Sequence, residues 1–485
     1  MADPNSQYTS KKAETLPSYF FASEFNKEYI LITKIDMKQN SDGNRAQFAT
    51  RLGVIATTVG SAVGLGNIWR FPYEAGTHGG GAFMLVYLFF ILVIGIPVIT
   101  AEFLIGSHTR SNVYGAFQKL HRFKLWQGVG VIGIVASLLI ISFYSVVAGW
   151  TLRYFFWSFT GFEHSESATT LHQQFVDFTT SIESVWWAVG FMIVNTLILR
   201  RGVQQGIEKM SNLMMPMLFL ILTIFCVRSL FMPGASEGLA FIFKPDFSCI
   251  TPDVMMGAMG QAFFSLSLGL GTLITYSSYF NRKTPLLGSA ATTAGLDTVV
   301  AIMAGVIIFP AVFTFGESPA AGPRLVFEVL PAIFGSMPWP AFWSALFFLL
   351  LFIASLTSTI SMSEISIAYF SEEKGMSRQK ATFLSSAFSF AGCILCALSF
   401  GPLAVFTVCG KGFFDMFDYL SSNILLPLGG MLISVFVGWF VPRKVIDQVL
   451  GDSTPARRFV VTCVVFCLRF VAPLCILAVF INGLR

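Results

Sequence analysis

Hydrophobic residues along this chain come in blocks rather than alternating with polar ones. Apolar runs of about 20 residues recur, and each is long enough to cross a hydrocarbon layer about 30 Å thick as a helix. Eleven spans are expected, near 52–75, 81–106, 127–158, 186–200, 208–232, 253–280, 290–315, 340–370, 382–400, 413–440 and 457–482. Two of these blocks carry residues that an ordinary membrane helix avoids. In the first, "TTVGSAVGLGNIWRFP" (Thr57–Pro72) holds Gly60, Gly64, Gly66, Asn67 and Arg70. In the sixth, "SLGLG" at 267–271 echoes "AVGLG" at 62–66.

Five spans separate the two motifs, an odd number, so the second group of five enters the membrane from the opposite side. That pattern predicts an all-α membrane protein built as a 5+5 inverted repeat, with broken helices in spans 1 and 6. In lipid every backbone N–H and C=O needs an internal partner, so an unwound stretch survives only where something else satisfies it. Freed carbonyls can hold a cation, and freed N–H groups at a half-helix start can hold an anion. Glycines also serve close helix packing, but two breaks in matching positions favour a site. The expected organisation is a tail at 1–44, a first repeat at 45–232, a second at 233–440, and an eleventh span with the C-terminus at 441–485.

Composition agrees with this picture. The 485 residues are 54% hydrophobic and 12% charged, about half the charge of an average soluble domain. Lys and Arg orient the chain. Alternate loops hold Arg110, Lys119, Arg122, Lys124, Arg200, Arg201, Lys209, Arg282, Lys283, Lys374, Arg378, Lys380, Arg443, Lys444, Arg457 and Arg458. The opposite loops hold only Lys244, Arg324 and Lys411, with Arg485 at the tail. The positive-inside rule then places the N-terminus in the cytoplasm and the C-terminus outside. No Asn-x-Ser/Thr sequon occurs and the outer loops are short, which points to a bacterial inner membrane. There is no nucleotide loop, metal cluster or His-paired nucleophile, so neither an enzyme nor a nucleic-acid binder is expected. Membrane lipid and a small-molecule substrate are the expected partners, and the oligomeric state stays open.

Five stretches carry a family resemblance: "RLGVIATTVGSAVGLGNIWRFPY" from Arg51, "GGGAF" at 79–83, "GIPVITAEFLIG" at 95–106, "GQAFFSLSLGLG" at 260–271 and "SLTSTIS" at 355–361. In these the chain resembles the neurotransmitter:sodium symporters, and in particular their bacterial eleven-span amino-acid transporters of LeuT-type fold, from Arg45 to about residue 440. The resemblance implies sodium-driven import of an amino acid or amine by alternating access. It implies a first sodium site from Ala62, Asn67, Ser265 and Asp297, completed by the substrate's carboxylate. It implies a second from the carbonyls of Gly60, Val63 and Ala354 with the hydroxyls of Thr357 and Ser358. Two Na+ ions and no organic cofactor are expected, and carbonyls with hydroxyls suit such a cation. Chloride, which some relatives hold, would face Tyr87, Gln261, Ser265 and Ala301. Asp297 stands where part of the family has an amide, and a second buried anion beside it would meet repulsion and desolvation of several kcal/mol. Transport without chloride is therefore expected.

The resemblance also outlines a pocket. Gly64 stands where the monoamine branch has an aspartate, so the substrate should bring its own carboxylate, held near Leu65, Gly66 and the Tyr144 hydroxyl. Carbonyls of Ala62, Phe264 and Ser267 would meet its amino group. The implied side-chain pocket is Leu65, Ile140, Phe264, Ser267, Leu270, Ser358 and Met362, uncharged and mostly apolar, which favours a large hydrophobic or aromatic L-amino acid. Arg70 with Asp418 would form an outer gate. Arg45 with Glu372, packed by Phe48 and Tyr276, would form an inner one. Gly206 and Pro216 imply either a kink in the fifth span or an unwinding that admits water to the second sodium site. Glu102 and Glu364 are expected to cap broken backbone. The alternative reading is an amino-acid-binding membrane sensor without net transport.

Overall fold

The apolar blocks become helices, and the two glycine-rich motifs interrupt them. The computed structural model describes residues 46–160, 168–316, 325–335, 337–451 and 454–484. The tail at 1–44, Arg45, Arg324 and Arg485 lie outside the described residues. Among the described residues, nine helices are long and apolar enough to cross a membrane: Gly81–Thr109, Lys124–Thr160, Ile182–Leu199, Val203–Leu230, Leu286–Phe315, Pro340–Glu372, Arg378–Leu398, Phe413–Phe440 and Pro455–Gly483. A tenth is the bent pair Arg51–Ala62 and Gly66–Thr77, at 53°. The sixth expected span is present as Pro252–Ser265 and Thr272–Ser277, separated by 266–271. Counted as one broken span, it is the remaining member of the expected eleven.

Short helices also form where the sequence suggested only loops: Val113–Leu120, Ala168–Thr180, Ala235–Phe243, Val326–Gly335 and Arg443–Leu450. Each is too short to span, so a search for long apolar runs passes over it. The fifth span stays helical between Gly206 and Pro216: a wide turn at Val203–Glu208 leads directly into Lys209–Leu230.

Each break has a local cause. Val63 is extended (φ −66°, ψ 120°) and ends the first half-helix at Ala62. In the sixth span Ser267, Gly269 and Gly271 all adopt left-handed backbone, with φ of 52°, 83° and 80°, which no right-handed helix can contain. The freed main-chain groups are taken up by side chains. Gly64 N–H donates to Asn67 Oδ1 (3.0 Å), Leu65 N–H to the Tyr144 oxygen (2.9 Å) and Gly269 N–H to Glu102 Oε1 (2.9 Å). The Val63 carbonyl accepts from Ser358 Oγ (2.9 Å). Tyr144 lies on the third span, Glu102 on the second and Ser358 on the eighth, so three other spans hold the breaks open.

Burial separates scaffold from lipid face. The apolar window of the eighth span is 83% buried and that of the third 72%, against 28% for the eleventh. The eighth span can therefore carry Ser355, Thr357, Ser358, Thr359, Ser361, Ser363 and Ser366, all buried. The eleventh instead turns Phe459, Phe466 and Leu474 outward.

Gly269 docks on the tenth span, where an added Cβ would lie 2.4 Å from both Leu426 O and Gly430 N. Gly269→Ala is expected to cost about 2–5 kcal/mol, from left-handed strain of roughly 1–2 and overpacking of roughly 1–3. Gly316 has φ +69° and nothing within 4 Å of its would-be Cβ, so Gly316→Ala incurs the strain alone. Thermal unfolding in detergent should show the larger drop for Gly269→Ala; equal drops would contradict the docking.

Candidate functional site

The two breaks face each other across a buried polar cluster. Asn67 Nδ2 donates to Asp297 Oδ1 (2.7 Å), to the Asp297 carbonyl (3.2 Å) and to Ser265 Oγ (2.9 Å). Ser265 Oγ donates to the other carboxylate oxygen, Oδ2 (2.7 Å). Gln261 Nε2 reaches back to the Gly66 carbonyl (3.0 Å). Asn67 and Asp297 are fully buried. One carboxylate beside hydroxyl and carbonyl oxygens is a donor set for a hard cation of low charge. Asn67, Ser265 and Asp297 are thus brought together, and Ala62 lines the same cavity as Ser265.

The second group assembles where the first half-helix meets the eighth span. Ser358 Oγ contacts the Val63 carbonyl, and Thr357 Oγ1 donates to the Ala354 carbonyl (3.0 Å). Gly60 completes the approach, since an added Cβ there would lie 3.4 Å from Thr357 Cβ. The oxygens of this group are neutral, so a cation held here would bring uncompensated charge, unlike one beside Asp297.

Between the breaks lies a narrow cavity of about 30 Å³. Ala62, Gly66, Ile140, Tyr144, Phe264, Ser265, Ser267, Leu270, Ser358 and Met362 line it, ten of the eleven residues expected to touch substrate. Leu65 lines a larger vestibule instead, although its N–H meets Tyr144. Gly64 and Leu426 also line the cavity, and sequence reading did not place Leu426 there. The vestibule measures about 340 Å³ and shares Gly66, Tyr144 and Phe264 with the cavity.

Arg70 and Asp418 both line the vestibule but do not form the expected gate pair. Arg70 Nε lies 3.5 Å from Glu74 Oε1, one turn on in its own helix, and its guanidinium sits 4.4 Å above the Phe264 ring. Asp418 accepts instead from Ser422 Oγ (2.8 Å). The open vestibule keeps the first and tenth spans apart, so each charge finds a local partner.

The opposite end is packed shut. Phe48 is buried edge-on against Tyr276 and Tyr279, with centroids 5.9 Å apart in both cases, and its N–H donates to the Tyr279 carbonyl (3.0 Å). Glu208 caps the start of the first half-helix, accepting from Ala49 N (2.8 Å), Thr50 N (3.1 Å) and Thr50 Oγ1 (3.1 Å). Glu372 accepts from the main-chain and side-chain nitrogens of Asn112 (3.0 and 2.9 Å); its expected partner Arg45 lies outside the described residues.

Glu364 does not cap broken backbone. It is fully buried in a two-pronged ion pair with Arg378 (2.6 and 2.7 Å) and accepts from the Tyr279 hydroxyl (2.8 Å). The signal was available: a buried acid needs a cation, and Arg378 lies just beyond the turn at Gly375. Glu102, by contrast, meets the second break directly through Gly269 N–H.

The sequence profile of the sodium:neurotransmitter symporter family matches residues 45–176 and 162–485. An uncharacterized sodium-dependent transporter of Bacillus subtilis, YhdH, is 37% identical over 444 residues, covering 91% of this chain and 98% of that protein. The chain belongs to the sodium:neurotransmitter symporter family. It is accordingly a multi-pass, sodium-dependent symporter, a transporter rather than an enzyme. An uncharacterized sodium-dependent transporter of Haemophilus influenzae is also 37% identical, over 91% of this chain and 98% of its own length. The crystal structure of MhsT in complex with L-phenylalanine matches at TM-score 0.83 and 43% identity, over 91% of this chain and 100% of that one.

Breaking a buried pair by removing one partner typically costs about 3–5 kcal/mol, because the other charge is left unpaired. In this symporter Arg378→Met is expected to lower stability by about that amount, and Glu364→Gln by less. The double variant should recover part of the loss in a thermal-unfolding cycle. Strictly additive losses would remove the pair as a stabilising unit.

Proposed function

We propose that this symporter imports large hydrophobic or aromatic L-amino acids, coupled to two sodium ions and independent of chloride, across a bacterial inner membrane with its N-terminus in the cytoplasm. The observation that carries the substrate class is the space at Gly64. A Cβ there would lie 2.6 Å from Ser358 Oγ and 2.8 Å from the Tyr144 hydroxyl oxygen; the two hydroxyls stand where a side chain would begin, and Gly64 offers no acid to pair with a bare amine. The substrate supplies the carboxylate itself. Leu65 N–H and the Tyr144 hydroxyl stand ready to bind it, and the cluster of Asn67, Ser265 and Asp297 would hold sodium beside it. Ile140, Phe264, Leu270 and Met362 suit an apolar side chain, and MhsT, the structural relative, has L-phenylalanine bound.

Asp297 supports the chloride reading. Its carboxylate is already the anion of the site, and a chloride beside it would be repelled with little solvent to screen it. Two sodium charges moving inward gain roughly 4.6 kcal/mol per 100 mV, at about 2.3 each. That force, with the concentration gradient, can accumulate substrate about a thousandfold, at about 1.4 kcal/mol per tenfold.

Proteoliposome uptake of each of the twenty amino acids under an imposed sodium gradient tests the reading. Sodium-dependent accumulation of tryptophan, tyrosine, phenylalanine, leucine or methionine is expected; accumulation of charged or small polar amino acids alone would refute it. Replacing chloride by gluconate should leave uptake unchanged, and a loss of uptake would remove the role given to Asp297.

A further inference from the structure

One wall of the cavity comes from a residue outside the side-chain pocket that the family resemblance implies. Leu426, on the tenth span, is 3% exposed and lines the cavity with Ile140, Phe264, Leu270 and Met362. Main-chain packing fixes its position. A Cβ on Gly269 would lie 2.4 Å from the Leu426 carbonyl oxygen, and one on Gly429 would lie 2.3 Å from the Gly269 carbonyl oxygen. The tenth span and the break in the sixth therefore touch backbone to backbone, and neither can move further toward the other. A wide turn at Leu420–Leu425 directly precedes Leu426. Such a turn shifts the facing of the side chains after it, and these turns recur at functional sites. Upstream on the same span, Asp418, Ser422 and Asn423 line the vestibule. The tenth span thus runs along the route from the vestibule to the cavity, with Leu426 at its inner end.

We propose that Leu426 is a specificity-determining residue whose side chain closes the apolar end of the pocket and sets the largest amino-acid side chain admitted. This rests on the amino-acid reading above and deepens it. Met362, unbranched and flexible, can yield to a ligand. Leu426 is branched and carried on a backbone held against Gly269, so it acts as the fixed limit.

The test compares the unaltered protein with Leu426→Ala and Leu426→Phe in proteoliposomes, reading sodium-dependent binding of radiolabelled tryptophan, phenylalanine, leucine and valine. Leu426→Ala is expected to shift the tryptophan-to-leucine affinity ratio toward tryptophan by about tenfold. Leu426→Phe should shift it toward leucine. The ratio is taken within one protein, so partial loss of folded protein does not move it. If Leu426→Ala does not fold, Leu426→Val carries the same test with a smaller shift in the same direction. Unchanged ratios, or one common factor across all four substrates, overturn the inference and leave the amino-acid reading intact. No sodium-dependent binding of any of the four by the unaltered protein overturns that reading and the inference with it.

Discussion

Nothing in a bilayer's interior can hydrogen-bond a free peptide group except the protein itself. The site follows from that constraint. At Val63–Leu65 and at 266–271 the chain gives up helical bonds, and the freed groups recruit partners from other spans: Tyr144 from the third, Ser358 from the eighth, Glu102 from the second. The breaks can exist only where those spans converge, and Val63, Gly64, Leu65, Gly269 and Gly271 are all buried there. The same groups give the site its chemistry. Amides and carbonyls held by single side-chain bonds can turn to an ion or a head group at modest cost, whereas helical ones cannot.

Charge placement follows the same logic. Asp297 is the one formal charge in the cluster between the breaks, and its oxygens are engaged by Asn67 and Ser265 rather than by a cationic side chain. A mobile cation can therefore neutralise it. Arg70 stays outside, stacked on Phe264 at the vestibule floor. Its contact to Glu74 is long and partly exposed, the kind of pair worth only about 0–1 kcal/mol. The opposite end is closed by stronger elements: the Phe48 aromatic cluster, the Glu208 cap and the buried Glu364–Arg378 pair. The structure is thus open at the end bearing Arg70 and shut at the end bearing Phe48.

Most of this was legible in the sequence because membrane helices announce themselves by length. The breaks were legible because glycine beside asparagine and arginine makes no sense in an uninterrupted span. What stayed hidden depends on approach between distant segments. Ser267 in left-handed backbone has no sequence signal, since serine rarely adopts it. Glu208 shows no partner in the sequence until the fold brings it to Thr50, 158 residues away. Leu426 is one leucine among several in its span until packing against Gly269 brings it to the cavity. The separation of Arg70 from Asp418 depends on the spacing of two distant spans across the vestibule, which no local sequence pattern sets.

The proposed site holds a sodium ion and the substrate's carboxylate against each other. Linkage between the two ligands tests it most directly, because each must then raise the other's affinity by the same factor. Equilibrium binding of phenylalanine and of its decarboxylated analogue, phenethylamine, should be measured across a sodium titration. Sodium is expected to tighten phenylalanine binding by about tenfold or more and to leave phenethylamine binding unaffected. Equal sodium dependence for both, or none for either, would contradict it.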